Sequence, residues 1–233
     1  MKVVIYLYPG VTVLDAMGPH EVLRGLKEVE IQLVAKKRGE IHSDTGAVHF
    51  SIKHDFSTVH EADLLLIPGS TVAFVREMRD KEVLAWVKKI DDTTKVTATV
   101  CTGSLILAAT GRLSGRRATS HWKPIQLLEK LGATPVRERW VKDGKYYTAA
   151  GVSAGIDLSL QLVADLCGPD HAKATQLTIE YDPHPPFSSG NAQTAEPTIR
   201  KLAEQQMERD AQRELSMVDI VKNAGTLWKL KKG

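Results

Sequence analysis

Short, unbroken apolar runs separated by stretches of helical spacing constrain this chain more than any other feature. Val3 to Leu7, Ile31 to Ala35, Leu64 to Ile67 and Val96 to Val100 are rich in Val, Ile and Leu, and polar or turn residues bound each one. Runs of this kind read as parallel strands covered on both faces. Between them, Leu14, Met17, Val22, Leu23 and Leu26 recur at helical intervals, as do Val83, Leu84, Val87 and Ile90, and then Leu105, Ile106, Leu107 and Ala109. Repeated β-α-β order predicts an α/β, flavodoxin-like, doubly wound and mostly parallel sheet with helices on both faces. Asp143-Gly144, flanked by Pro135 to Val141 and Lys145 to Thr148, is a hairpin signal and predicts a small antiparallel ribbon on that sheet. A long helix is expected from Ala154 to Cys167, with Leu158, Leu162, Val163 and Leu166 on one side and Gly168-Pro169 at its end.

From Glu196 onward the chain turns polar and helical, with eight basic and six acidic residues and sparse apolar anchors at Ile199, Leu202, Met207 and Leu215. Mixed charge fits a solvated face better than a nucleic-acid arm. The expected organisation is therefore one α/β domain over residues 1–195 and a C-terminal helical extension of it over 196–233, frayed from Gly225. The net charge of +3 is too small for electrostatics alone to imply nucleic acid or an anionic membrane as partner. Pro9-Gly10 interrupts the first apolar run before an export signal could be complete, and no window reaches the roughly 18 apolar residues of a membrane helix.

The two cysteines, Cys101 and Cys167, are too few for a disulfide framework or a four-thiol metal site, so a reducing, cytoplasmic compartment is the simplest setting. Their surroundings differ. Cys101 follows a buried strand, and Thr102-Gly-Ser104 opens a helix directly after it, the layout of a nucleophile elbow. Helix-terminal amides favour thiolate over thiol, which predicts a reactive sulfur. The competing reading makes Cys101 a small buried hydrophobe. Cys167, at the end of an apolar helix, is read as structural.

Six segments resemble the DJ-1/PfpI superfamily and, within it, the isonitrile hydratases. They are Tyr8-Pro-Gly-Val-Thr-Val-Leu-Asp15-Ala-Met-Gly-Pro19, Leu66-Ile-Pro-Gly69-Ser-Thr, Val100-Cys-Thr-Gly-Ser-Leu105, Gly115-Arg-Arg-Ala-Thr-Ser-His121-Trp122, Ala150-Gly-Val-Ser-Ala-Gly-Ile-Asp157 and Gln176-Leu-Thr-Ile-Glu-Tyr181-Asp-Pro-His-Pro-Pro186-Phe. Each is weak alone; six in one order are not.

The resemblance implies a fold like the class I glutamine amidotransferases and a cofactor-free, metal-free lyase that hydrates a small-molecule isonitrile. Cys101 would be the nucleophile and Asp15 the carboxylate beside it. With Leu14 read as pointing into an apolar setting and Gly18-Pro19 forcing a tight path, Asp15 is expected to keep a proton near neutral pH. It also reads as a helix N-cap. Gly69 and Thr102 would supply an amide pair facing Cys101, although an ordinary strand-to-helix turn explains Gly69 as well. His121 and Gly151 fall at the possible pocket, with His121 open to two readings: a group that orients the site, or a hydrogen-bonded histidine beneath the sheet. Thr102 stands where PfpI-type peptidases carry histidine, which weakens a peptidase reading. The alternatives are a DJ-1-like glyoxalase, deglycase or stress-response chaperone, and a non-catalytic ligand or redox sensor. Family precedent implies a homodimer, with the Met17 to Leu26 helix a candidate interface.

Overall fold

The computed structural model describes residues 1–230, with side chains through Leu215. It divides after Asp182 into two units, Met1–Asp182 and Pro183–Gly233. The second holds one long helix, α8 (Pro197–Leu230). Residues 231–233, the end of the stretch expected to fray, lie outside the described residues.

The apolar runs become the strands of one sheet. β1 (Lys2–Tyr6), β2 (Glu30–Ala35), β6 (Leu64–Ile67) and β7 (Val96–Val100) are parallel, and every residue of β6 and β7 is buried. With β5 (His54–Asp55), β10 (Trp140–Asp143) and β11 (Tyr146–Ala149) the order is β10-β11-β7-β6-β1-β2-β5. Leaving aside the two-residue β5, the parallel strands run in the 2-1-3-4-5 order of flavodoxin-like sheets. The order reverses between β1 and β6, and at such a switch point α/β folds bind ligands beyond the carboxyl ends of the strands.

Helices α1 (Val13–Leu23), α6 (Ala154–Cys167) and α7 (Pro169–Thr178) pack together, while α4 (Gly103–Ala109) packs with α2 (Phe74–Glu77), α3 (Lys81–Asp91) and α5 (Leu127–Lys130). Both α6 and α4 lie against β7, so the sheet is covered on both faces. Helix α3 shows how the sequence specifies such an element. Asp80 caps it by accepting from the Glu82 and Val83 amides at 3.0 and 3.3 Å, and Val83, Trp86, Val87 and Ile90 form its buried stripe. Among the described residues no helix is long and apolar enough to cross a membrane.

Two expectations change. The antiparallel ribbon does not lie on the sheet but extends its edge, because β11 pairs in parallel with β7 and β10 pairs antiparallel with β11. Its first arm is also shorter than Pro135 to Val141. Pro135, which has no amide to donate, belongs to a two-residue strand, β9 (Thr134–Pro135), beside β8 (Arg117–Ala118). A second ribbon, β3 (Gly39–His42) with β4 (His49–Ile52), went unread in the sequence. On α1, the helix named as a candidate dimer interface, one side packs within the chain. Val22 and Leu23 are fully buried, and ideal Cβ atoms at Gly18 and Gly155 would lie 3.1 Å from Ile156 and Pro19 respectively, so α1 and α6 meet at glycines.

Candidate active site

Three strand ends converge at the switch point. β7 delivers Cys101 in a left-handed backbone conformation, φ +56°, rare for a residue with a Cβ and strained by about 1 kcal/mol. The strain is held from both sides. The Cys101 amide donates to the Ala150 and Ala149 carbonyls at 2.8 and 3.1 Å, and the Cys101 carbonyl accepts from the Ser120 and Ser104 hydroxyls at 3.0 and 3.1 Å. Gly103 completes the turn, since a Cβ there would collide with the Ile67 carbonyl oxygen. The elbow layout expected from sequence is present, with the cysteine only 6% exposed.

Asp15 is the third residue of α1 and is not its N-cap, which is Thr12. Its side chain is withdrawn from solvent entirely (0% exposed), although Leu14 beside it is 43% exposed. Leu14 therefore does not provide the apolar setting expected of it. One carboxyl oxygen, Oδ2, accepts from the Gly69 amide at 3.0 Å; the other, Oδ1, is buried with no hydrogen-bond partner. Burial pushes Asp15 up to about 7, against the opposing pull of the Gly69 amide and of Cys101, with Asp44 adding a smaller upward push.

Cys101 and Asp15 act on each other directly. Burial first, and the Asp15 carboxylate second, push the thiol well above its usual range, while the Thr102 amide pulls it down less strongly. The sulfur expected to rest as thiolate at a helix N-terminus is thus held as thiol whenever Asp15 is ionised, because desolvation outweighs the amide. Such a pair holds and exchanges protons as one unit.

Gly69 and Thr102 lie between the two groups. A Cβ on Gly69 would fall 2.6 Å from the Thr102 nitrogen and 2.8 Å from Asp15 Oδ2, so only glycine leaves room. The Gly69 amide, expected to aim at an oxyanion, is already engaged by Asp15. The Thr102 hydroxyl accepts from the Ser70 amide and donates to the Ser70 carbonyl, both at 2.9 Å, tying the β6 and β7 turns together. His121 and Gly151 adjoin one another: a Cβ on Gly151 would lie 3.5 Å from His121 Cδ2. Burial holds His121 below its ordinary value and therefore neutral, and its Nδ1 accepts from the Lys123 amide at 3.4 Å. Among the described hydrogen bonds none joins His121 to Cys101 or Asp15.

The sequence reading passed over Tyr8. It is fully buried, its hydroxyl donates to the Pro68 carbonyl at 3.0 Å, and burial first, then the charges of Glu77, Asp15 and Cys101, push the phenol well above its ordinary value. The available signal was a phenol ending an apolar strand, since a buried hydroxyl needs a partner.

The DJ-1/PfpI family matches residues 1–165, a span that holds β1, β6, β7 and both members of the pair. The chain belongs to the DJ-1/PfpI family. Among its relatives, an isonitrile hydratase of Pseudomonas putida is 38% identical over 195 residues, 84% of this chain and 85% of that protein. A deglycase of Thermococcus kodakarensis is 29% identical over 152 residues, 64% of this chain and 89% of that one. The crystal structure of a ThiJ/PfpI family protein from Pseudomonas syringae superposes with a TM-score of 0.85 at 35% identity, covering 91% of this chain and 88% of that one. Family and fold are thereby given.

Proposed function

We propose that this protein hydrates an isonitrile to an N-substituted formamide, using Cys101 as nucleophile and Asp15 as proton carrier. The observation that carries the reading is the Asp15 carboxyl: fully buried, held near neutrality, coupled to a thiol, and presenting one oxygen with no partner. The extended similarity to the Pseudomonas putida isonitrile hydratase supports the same substrate class.

An isonitrile carbon has a lone pair and is a poor electrophile until protonated, so the reaction needs an acid next to a soft nucleophile. With one proton on the pair, Asp15 takes it from the Cys101 sulfur and passes it to the isonitrile carbon through Oδ1. The sulfur attacks that carbon as it is protonated. The net change adds S–H across the carbon and gives a thioimidate, R–N=CH–S–Cys101. Asp15, again a carboxylate, accepts a proton from water, whose oxygen adds to the same carbon while the proton passes to nitrogen. Collapse breaks the C–S bond, the sulfur regains a proton, and R–NH–CHO leaves. The Thr102 amide supports negative charge on sulfur. Replacing Cys101→Ala or Asp15→Asn should each abolish formamide production from a simple alkyl isonitrile, and full activity in either variant sinks the mechanism. The deglycase relative favours one second reading, action on methylglyoxal or its adducts. Turnover of methylglyoxal without turnover of isonitriles would select it.

In this reading the enzyme works as a homodimer in a reducing, cytoplasmic setting without nucleic acid or membrane. Sedimentation at micromolar concentration tests the dimer.

A further inference from the structure

We propose that Tyr8 is a positioning residue for Asp15, acting through the single peptide that links Pro68 to Gly69. The Tyr8 hydroxyl donates to the Pro68 carbonyl at 3.0 Å, and the Gly69 amide donates to Asp15 Oδ2 at 3.0 Å. That carbonyl and that N–H belong to one planar trans unit, on which they point in opposite directions. One side of the unit is pinned by the phenol and the other holds the carboxylate. Donation to the carbonyl oxygen polarises the amide and strengthens the N–H as a donor, so the phenol is felt at Asp15 without touching it. No other described hydrogen bond reaches the Pro68 carbonyl. Tyr8 is therefore what keeps the peptide from rotating its N–H away from Asp15.

The phenol is itself fixed. Its ring lies 5.4 Å from that of Tyr6, whose hydroxyl donates to the buried Glu77 carboxylate, and Arg76 donates to the other oxygen of Glu77 at 2.8 Å and to the Pro9 carbonyl at 2.7 Å. The Ser70 hydroxyl adjoins the Tyr8 hydroxyl and accepts from the Phe74 amide at 2.7 Å. The titratable groups facing Asp15 are Cys101 from the turn after β7, Tyr8 from the end of β1 and Asp44 from the segment joining β3 to β4; Glu77 of α2 faces Tyr8. Of these only Tyr8 is bonded to the peptide that holds Asp15. Loss of its hydroxyl leaves the carboxylate with a weaker, less directed donor, which favours the protonated acid.

This inference rests on the reading of Asp15 and Cys101 as one proton-sharing pair, and the test separates the two. The measurement is the rate of Cys101 alkylation by iodoacetamide from about pH 5.5 to about pH 9.5, in the full chain carrying Cys167→Ser. It needs no substrate. The pair should titrate in two steps. Tyr8→Phe should move the lower midpoint up by about half a pH unit, while 3-fluorotyrosine at position 8, a stronger donor of nearly equal volume, should move it down. Asp15→Asn should remove that step. If Asp15→Asn removes it but neither change at Tyr8 moves it, Tyr8 is a core aromatic and this inference is overturned while the pair stands. If Asp15→Asn leaves the profile untouched, both fall. Should Tyr8→Phe fail to fold, the fluorotyrosine variant decides alone, since a purely structural phenol would leave the midpoint unmoved.

Discussion

Asp15 carries the cost and the use of this site in one side chain. Its acid sits near 7 in the folded chain against an ordinary value of 3.8. Because the folded value is raised, the native state holds a proton that the unfolded chain has released, and stability falls as pH climbs through the window from 3.8 to about 7. Below that window Asp15 costs nothing; above it the cost approaches about 4 kcal/mol. Asp15→Asn keeps an acceptor for the Gly69 amide and carries no charge. Denaturant unfolding should therefore show the variant gaining on the parent chain as pH rises from about 4 to about 8, by up to that amount. A constant difference would mean that Asp15 is not desolvated. The same raised value predicts that kcat/KM falls tenfold per pH unit below about 7, where the pair holds both protons and no thiolate can form. Gly69→Ala, which forces a methyl against the Thr102 backbone nitrogen and Asp15, should lower kcat/KM at least tenfold and destabilise the fold as well.

The strand-to-helix turn after β7 is the element that sets the sulfur, and its positive φ makes a prediction independent of chemistry. Neither Cys101→Gly nor Cys101→Ala can act as nucleophile, but only glycine adopts φ +56° without strain. Urea unfolding should find Cys101→Gly more stable than Cys101→Ala by about 0.5 to 1 kcal/mol. Equal stability would mean that the turn relaxes once sulfur is gone. This element was the most legible part of the sequence, because a fully apolar strand, a cysteine and a Thr-Gly-Ser turn each restrict the local backbone. The β3–β4 ribbon was illegible for the opposite reason: its arms are four residues each and only Ile41, Phe50 and Ile52 are buried, so no periodicity accumulates. Leu14 failed differently, since helical spacing gives a period and not the phase that points a side chain to core or solvent.

Taken as a molecule, the chain concentrates its recognisable content in the first unit, Met1–Asp182, which contains the whole family match to residue 165. A chain ending at Asp182 should unfold in one cooperative transition followed by circular dichroism, and a broad, non-cooperative melt would assign the remaining residues a structural role. Strand order, the pairing of Cys101 with Asp15 and the place of Gly69 were all within reach of sequence and family resemblance. Charge state was not. Whether the sulfur rests as thiol or thiolate depends on desolvation and the Asp15 charge against the Thr102 amide, and whether the Gly69 amide is free depends on a carboxylate brought from 54 residues away. Only three-dimensional packing sets these. The central claim, that an isonitrile passes through a covalent bond to Cys101, has a direct readout in the intact mass of the whole protein. Acid-quenched within the first turnover with an alkyl isonitrile, the parent chain should gain the mass of one isonitrile, placed on Cys101 by peptide mapping, and Asp15→Asn should gain none. Formamide released at full rate with no adduct on Cys101, or formed by Cys101→Ala, would contradict it.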